Sequence, residues 1–459
     1  TITDALGNVT EHAHDAALRL VRVKDAQGGT TTYTYDTNSL RTSSTDPLGR
    51  VHTFTYDANG NLTGVTDAAG RTTRFAFDPK SNLIRITDRL GRITQFTYDV
   101  KSNLTQILDA AGGTSVFTYD AAGQTLTAKN ARNFMTSFQH DLAGNLTRVI
   151  DALGGTVEMT YGGVGRLLTV KNQLGKTGSR SYDANNRLLS VTDPLANVTS
   201  FQYDGNANLT RITDANSKVT QYAYDSTNKL TQVTDAIGGV TRYGYDANTD
   251  LTSVIDAKGH VTSYTYDSLR RLKTTTDPLG KQKQYSYDAV GNVVSTLDGN
   301  NKTNAFAYDV LNRLVSMALS DGKNVAYTYD ALGNRLTMAD WRGTSSYAYD
   351  ILNRVLSVAT PDGKTVGYQH DVVGNRTRLT YPDGKQVQYT YDALNRLLSA
   401  ADWASKTTRY TYDAAGNLTL MMHPNGAASS YGYDASNRLL GGGEQVRGTG
   451  TVIVRLHPR

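Results

Sequence analysis

The chain has 459 residues, 38% of them hydrophobic, with 42 glycines, no cysteine and a net charge of +5 from 47 basic and 42 acidic side chains. The missing cysteine excludes a disulfide scaffold and a thiolate metal site, and charges this evenly interspersed speak against the basic face of a nucleic-acid binder. No apolar run reaches the roughly 18 residues of a membrane helix, while 38 Tyr and Phe together are too many for a disordered polar tract.

The first ten residues, TITDALGNVT, already lie inside a repeat, so the chain reads as an excerpt of a longer protein and its lack of a leader carries little weight. From His14 an anchor recurs every 21 residues, at Tyr35, Tyr56, Phe77, Tyr98, Tyr119, His140, Tyr161, Tyr182, Tyr203, Tyr224, Tyr245, Tyr266, Tyr287, Tyr308 and Tyr329. One step of 20 reaches Tyr349, and steps of 21 resume at His370, Tyr391, Tyr412 and Tyr433. Every anchor except Tyr161 precedes an Asp. A period held along the whole chain marks a repeat architecture and overrides the prior of about three ordinary domains for this length.

Each unit begins with a strand such as Thr53-Phe54-Thr55-Tyr56, in which the two aromatics share a face. These two columns hold 28 of the 29 Tyr and 8 of the 9 Phe, leaving only Tyr381 and Phe134 outside them. Position is therefore being specified, and the tyrosine anchors Tyr35, Tyr56, Tyr98, Tyr119, Tyr182, Tyr203, Tyr224, Tyr245, Tyr266, Tyr287, Tyr308, Tyr329, Tyr349, Tyr391, Tyr412 and Tyr433 are assigned a structural role. Next comes Asp57-Ala58-Asn59-Gly60-Asn61, turn chemistry in which Asp bonds forward to backbone N–H and Gly accepts positive φ. A second, β-branched strand, Leu62-Thr63-Gly64-Val65-Thr66, ends in the turn Asp67-Ala68-Ala69-Gly70. Helical periodicity is absent, so the fold is expected to be all-β: tandem 21-residue hairpins forming a long antiparallel strip, with a β-solenoid as the alternative. Aromatic pairs between hairpins would add about 0.5–1.5 kcal/mol each. Forty-two strands give a strip roughly 200 Å long, which wound once makes a ring roughly 60 Å across. Residues 1–440 are read as one repeat array. The off-lattice tail 441–459 is either a flexible end or, the favoured reading, the edge of a further module.

Chemistry is sparse. Asp57–Asn61 and Asp246–Asp250 begin like a calcium loop but lack its glycine at position six and its bidentate Glu at twelve. His12 and His14 share a strand face with only Glu11 and Asp15 nearby, so substitution within the lattice is preferred to metal binding. The Asn-x-Thr triplets at Asn61, Asn103, Asn145, Asn208 and Asn417 fall at one point of the repeat and are read as lattice rather than glycosylation sites. No nucleophile elbow, phosphate loop or dinucleotide fingerprint occurs, and no catalytic residue, cofactor or metal is assigned.

Tyr182-Asp183-Ala184-Asn185-Asn186-Arg187-Leu188 and Tyr391-Asp392-Ala393-Leu394-Asn395-Arg396-Leu397 resemble the consensus of the RHS/YD-repeat family, and the resemblance covers about residues 1–440. It implies a β-strip that spirals into a hollow shell, here a partial one. In bacterial Rhs proteins and insecticidal toxin complexes such a shell encloses a C-terminal toxin until delivery, whereas eukaryotic teneurins use one in cell-surface adhesion. Repeats this alike, without cysteine, look more like the bacterial branch. The self-cleaving core of complete bacterial members has no counterpart here, since Asp46-Pro47-Leu48-Gly49 and Asp277-Pro278-Leu279-Gly280 occupy ordinary turn slots. The implied role is a non-catalytic shell segment of a secreted or cell-surface protein. Its implied partners are its own C-terminal toxin or cargo and a delivery machinery, with glycans as a further candidate. The competing function is an adhesion or carbohydrate-binding strip, in which exposed tyrosine rows would stack on sugars.

Overall fold

The computed structural model describes residues 1–445 and 452–454, so part of the tail 441–459 lies outside the described residues. Every described element is a strand. A six-residue strand, Val51–Tyr56, precedes the Asp57 turn, and a five-residue strand, Leu62–Thr66, precedes the Asp67 turn. The pattern repeats at once in Thr72–Phe77 and Leu83–Thr87. Sequential strands pair antiparallel, with Thr53 opposite Thr66 and Thr66 opposite Thr72. This pairing makes the fold a strip of hairpins and rules against the solenoid alternative, whose coils stack in parallel.

Alternation along each strand separates two faces. In Val51–Tyr56 the residues His52, Phe54 and Tyr56 are half-buried, while Val51, Thr53 and Thr55 are exposed. Among the described residues no large side chain is fully buried, and the buried hydrophobics are Val325 and Ala427. The core is a band of half-covered side chains that includes both aromatic columns, so hydrophobic stabilisation is spread thinly along the strip.

The chain forms two compact units. One comprises Thr1–Gln95, Thr220–Tyr347 and Thr360–Asp362, and the other Phe96–Val219, Ala348–Ala359 and Gly363–Arg459. In each unit an early and a late stretch of the strip meet through their turns. In the first, Arg50 Nη1 donates to Asn312 Oδ1 at 2.9 Å, Arg71 Nη1 to the Asp330 carbonyl at 3.4 Å, and Asn248 Nδ2 to Asp4 Oδ2 at 2.7 Å. In the second, Arg132 reaches Asp392 and Asn395, and Arg438 lies 3.8 Å from Asp193. The strip thus meets itself after about twelve repeats, or roughly 115 Å of strands at the usual spacing. Coiling follows from the cumulative twist of neighbouring strands, which a sequence period does not encode.

Candidate functional site

The recurrent site is built outward from the turn aspartate. Asp57 N–H donates to the Asn61 carbonyl at 3.0 Å, and the Asp57 carbonyl accepts from Gly60 N–H at 3.1 Å. Its Oδ1 accepts the N–H groups of Asn59 and Asn61 at 2.9 Å each, and its Oδ2 accepts Asn61 Nδ2 at 2.9 Å. These donors, led by the Asn61 amide, hold the Asp57 carboxyl below the ordinary carboxylate range. The fourth turn residue must take a left-handed conformation, supplied by Gly60 (φ 84°) but also by Asn186 (66°) and by β-branched Thr249 (70°).

That geometry answers two sequence questions. The amides of Asn61, Asn103, Asn145, Asn208 and Asn417 donate to the Oδ2 atoms of Asp57, Asp99, Asp141, Asp204 and Asp413 at 2.8–2.9 Å. They are turn locks, with the nitrogen that glycosylation would modify already in use. Carboxylate oxygens filled by N–H groups are likewise poor calcium ligands, and the described residues contain no cluster of three or more His, Asp or Glu suited to a metal.

The tyrosine anchors stand at strand ends beside these turns. The hydroxyls of Tyr35, Tyr56, Tyr119, Tyr182, Tyr245 and Tyr266 donate to the carbonyls of Leu20, Arg41, Leu104, Leu167, Leu230 and Leu251 at 2.7–3.0 Å. Those of Tyr287, Tyr308, Tyr329, Tyr391 and Tyr412 reach Leu272, Val293, Leu314, Arg376 and Leu397 over the same range. Each acceptor lies 15 residues earlier, in the preceding repeat. Regular pairing runs from Ser43–Thr53 to Thr45–Val51, so the Arg41 carbonyl lies beyond it and the Tyr56 hydroxyl supplies its partner. Tyr161, which lacks the following Asp, makes the same bond to Leu146 at 2.8 Å. Burial pushes the phenols of Tyr119, Tyr245, Tyr287 and Tyr308 upward in pKa. Tyr98, Tyr203, Tyr224, Tyr349 and Tyr433 end their strands in the same position.

Sequence reasoning did not identify the arginine that follows the turn. Arg187 Nε donates to Asp183 Oδ2 at 2.6 Å, Nη1 donates to the Asp204 carbonyl of the next repeat at 2.9 Å, and the guanidinium lies 5.1 Å from the Tyr203 ring. Arg271, Arg313 and Arg396 repeat the arrangement over Tyr287, Tyr329 and Tyr412 at 4.7–4.9 Å. One side chain thereby joins two turns and a ring. The signal was present in the quoted motifs as the Arg five residues after Tyr.

The meeting of early and late strip was also missed. Arg132 Nη1 donates to the Asp392 carbonyl at 3.1 Å and to Asn395 Oδ1 at 2.9 Å, and Nη2 reaches the Tyr391 carbonyl at 3.3 Å. Its guanidinium lies 4.8 Å from Phe134, one of the two off-column aromatics. The other, Tyr381, packs edge-on against Trp403 at 6.0 Å. A sequence signal for the meeting exists in the third residue of the Tyr-Asp turn. It is polar and exposed at Asn38, Asn59, Lys80, Lys101, Asn185 and Asn206, but apolar and half-buried at Leu269, Val290, Leu311, Leu332, Leu352, Val373 and Leu394. The apolar stretch coincides with the late strip that the early one covers.

Comparison with known proteins agrees with this anatomy. The RHS Repeat family matches residues 14–51, 182–303, 308–345 and 349–441, and the Teneurin YD-shell family matches 50–178. No curated protein matches the chain. Among solved structures, TcdB2-TccC3 is similar with a TM-score of 0.64 and 14% identity, covering 98% of this chain and 29% of its own. TcdB2-TccC3-TEV gives 0.56 and 16%, and TcdB2-TccC3-Cdc42 gives 0.51 and 16%, with 98% of this chain covered in both and 28% and 30% of theirs. The chain thus spans under a third of those proteins, and at such identities the likeness is one of fold. With more than half of its length matched, on the same Tyr-Asp hairpins described above, the chain belongs to the RHS repeat family.

Proposed function

We propose that the chain is a non-catalytic wall segment of an Rhs-type shell that encloses a C-terminal toxin for delivery to other cells. The observation that carries this reading is where the polar chemistry goes. The turn aspartates, the tyrosine hydroxyls and the arginines are spent on joining one hairpin to the next, which leaves a wall rather than a reactive cleft. The fold likeness to TcdB2-TccC3 supports it. Residues 1–440 then act as one array, the sixteen assigned tyrosines as its joints, and 441–459 as the edge of a further module. The protein is secreted or displayed at the cell surface, with cargo and delivery machinery as partners. The rings of both columns are half-buried and the anchor hydroxyls are engaged, which disfavours the adhesion and carbohydrate readings.

Limited proteolysis of the full-length natural protein tests the proposal. Cargo following the repeats should resist protease while the strip is folded and become sensitive at the denaturant concentration that unfolds it. Cargo cut at the same rate in both conditions, or a gene whose repeats run into an anchor segment with no cargo, would overturn it.

A further inference from the structure

On the face opposite the aromatic columns, the middle of each five-residue strand carries a side chain: Ser43, Arg85, Gln106, Thr127 and Arg148 occupy this slot in successive strands. Gly64 is the exception. It sits between Thr55 on one neighbouring strand and Arg74 on the other. Arg74 in turn faces Thr87, and Arg85 on that same strand faces Ala76. The missing side chain at Gly64 and the small one at Ala76 leave a cavity of about 530 Å³. Its lining includes both arginines and the hydroxyls of Thr55, Thr66, Thr72 and Thr87, with no carboxylate.

One arginine of this slot is neutralised by a neighbouring strand. Arg148 lies 3.9 Å from Glu158, on the strand beside it. Arg74 and Arg85 have no ion-pair partner among the described residues. Two unpaired guanidiniums around a hydroxyl-lined hollow have the chemistry of an oxyanion receptor: fixed forks of donors, positive charge, and neutral donors to complete the shell.

We infer that the Gly64 hollow is a binding site for a tetrahedral oxyanion, the phosphate or sulfate ester group of a ligand, held by Arg74 and Arg85 with threonine hydroxyls closing around it. The site lies within one unit and is independent of the shell function proposed above. A planar carboxylate matches a single fork and leaves the second arginine and the hydroxyls unused, so tetrahedral anions are preferred.

Isothermal titration of the chain at low ionic strength with inorganic phosphate, inorganic sulfate and acetate tests the inference. Phosphate or sulfate should bind saturably, with a Kd of about 1 mM or tighter, and acetate at least about tenfold more weakly. Arg74→Gln and Arg85→Gln should each weaken binding about tenfold or more without moving the unfolding midpoint, because both side chains are exposed. Gly64→Gln, which installs the side chain that Gln106 supplies in its own repeat, should abolish binding by filling the hollow. An added Cβ there comes within 2.6 Å of the Thr55 hydroxyl, which must rotate away, and is otherwise in ordinary contact, with Thr72 Cγ2 at 3.7 Å. Absence of saturable binding in the parent chain, equal affinity for acetate, or binding unchanged in Arg74→Gln and Gly64→Gln would overturn the assignment. The relative affinities for phosphate and sulfate tell which ester the site is built for.

Discussion

Replacing Arg132 with Met removes the clamp between early and late strip while retaining a flexible side chain over Phe134. Three hydrogen bonds disappear, at 2.9, 3.1 and 3.3 Å. Hydrogen bonds to a charged group contribute about 1.5–3 kcal/mol each, but two here share one nitrogen, one is long, and water can replace part of the loss at carbonyls near the surface. The expected cost is therefore about 2–3 kcal/mol for the unit that contains both partners. Chemical unfolding would measure it, and amide exchange would localise it to Tyr391–Asn395. A double-mutant cycle with Asn395→Ala isolates the shared bond. The coupling should be about 1 kcal/mol, and the cycle cancels the strain of placing alanine at φ 63°. Arg409→Met, an exposed change on the other face, serves as the control with no expected effect. A loss under about 0.5 kcal/mol, with unchanged exchange at Tyr391–Asn395, would refute the clamp.

Tyr287→Phe keeps the ring under Arg271 and deletes only the 2.7 Å bond to Leu272, so it should cost about 1 kcal/mol in the same unfolding assay. Thr249→Gly relieves a β-branched residue at φ 70° on an exposed turn and should stabilise by about 0.5–1 kcal/mol, whereas Gly60→Thr should do the reverse. Turn aspartates such as Asp57, Asp78 and Asp99 have folded pKa values depressed below the ordinary 3.8, and Asp193 and Asp225 lie at about 2, owing first to the Asn197 amide and the Lys229 backbone N–H respectively. A depressed carboxyl contributes its stability in full above its unfolded pKa and loses it as pH falls through the folded one. The unfolding midpoint should therefore hold down to about pH 4 and drop steeply toward pH 2, a profile that circular dichroism would follow. A midpoint falling already between pH 6 and 5 would contradict this assignment of cause.

Much of the fold was legible because the repeat exposes its own grammar. Phe54 and Tyr56 two apart, Asp57 and Gly60 at a turn, and β-branched Leu62–Thr66 define hairpin, face and register from local chemistry alone. The joints were less legible. Arg187 has to be seen reaching Asp204 and Tyr203 before its place in the motif has a cause, since a side chain's span across strands is a tertiary fact. The meeting of early and late strip depends on accumulated strand twist. Yet the change from Asn59 and Lys80 to Leu311 and Leu332 in one turn slot records it. The two off-column aromatics, Phe134 and Tyr381, proved to be packing partners of Arg132 and Trp403 rather than strays.

The tyrosine-hydroxyl joints lie at one margin of the strip, beside the Tyr-Asp turns. At the opposite margin the early turns are held to the late strip by Arg50, Arg71 and Arg132, whereas late in the chain that margin carries near-bare tips such as Ile237 at 91% and Leu279 at 84% exposure. Late in the chain the strip is stitched along one edge, like the spine of a book, while its fore-edge is free to splay. Thermal opening should start among those late fore-edge tips and travel toward the spine, so proteolytic nicks and early amide exchange should cluster at Gly238, Gly280 and their counterparts while the tyrosine margin stays closed.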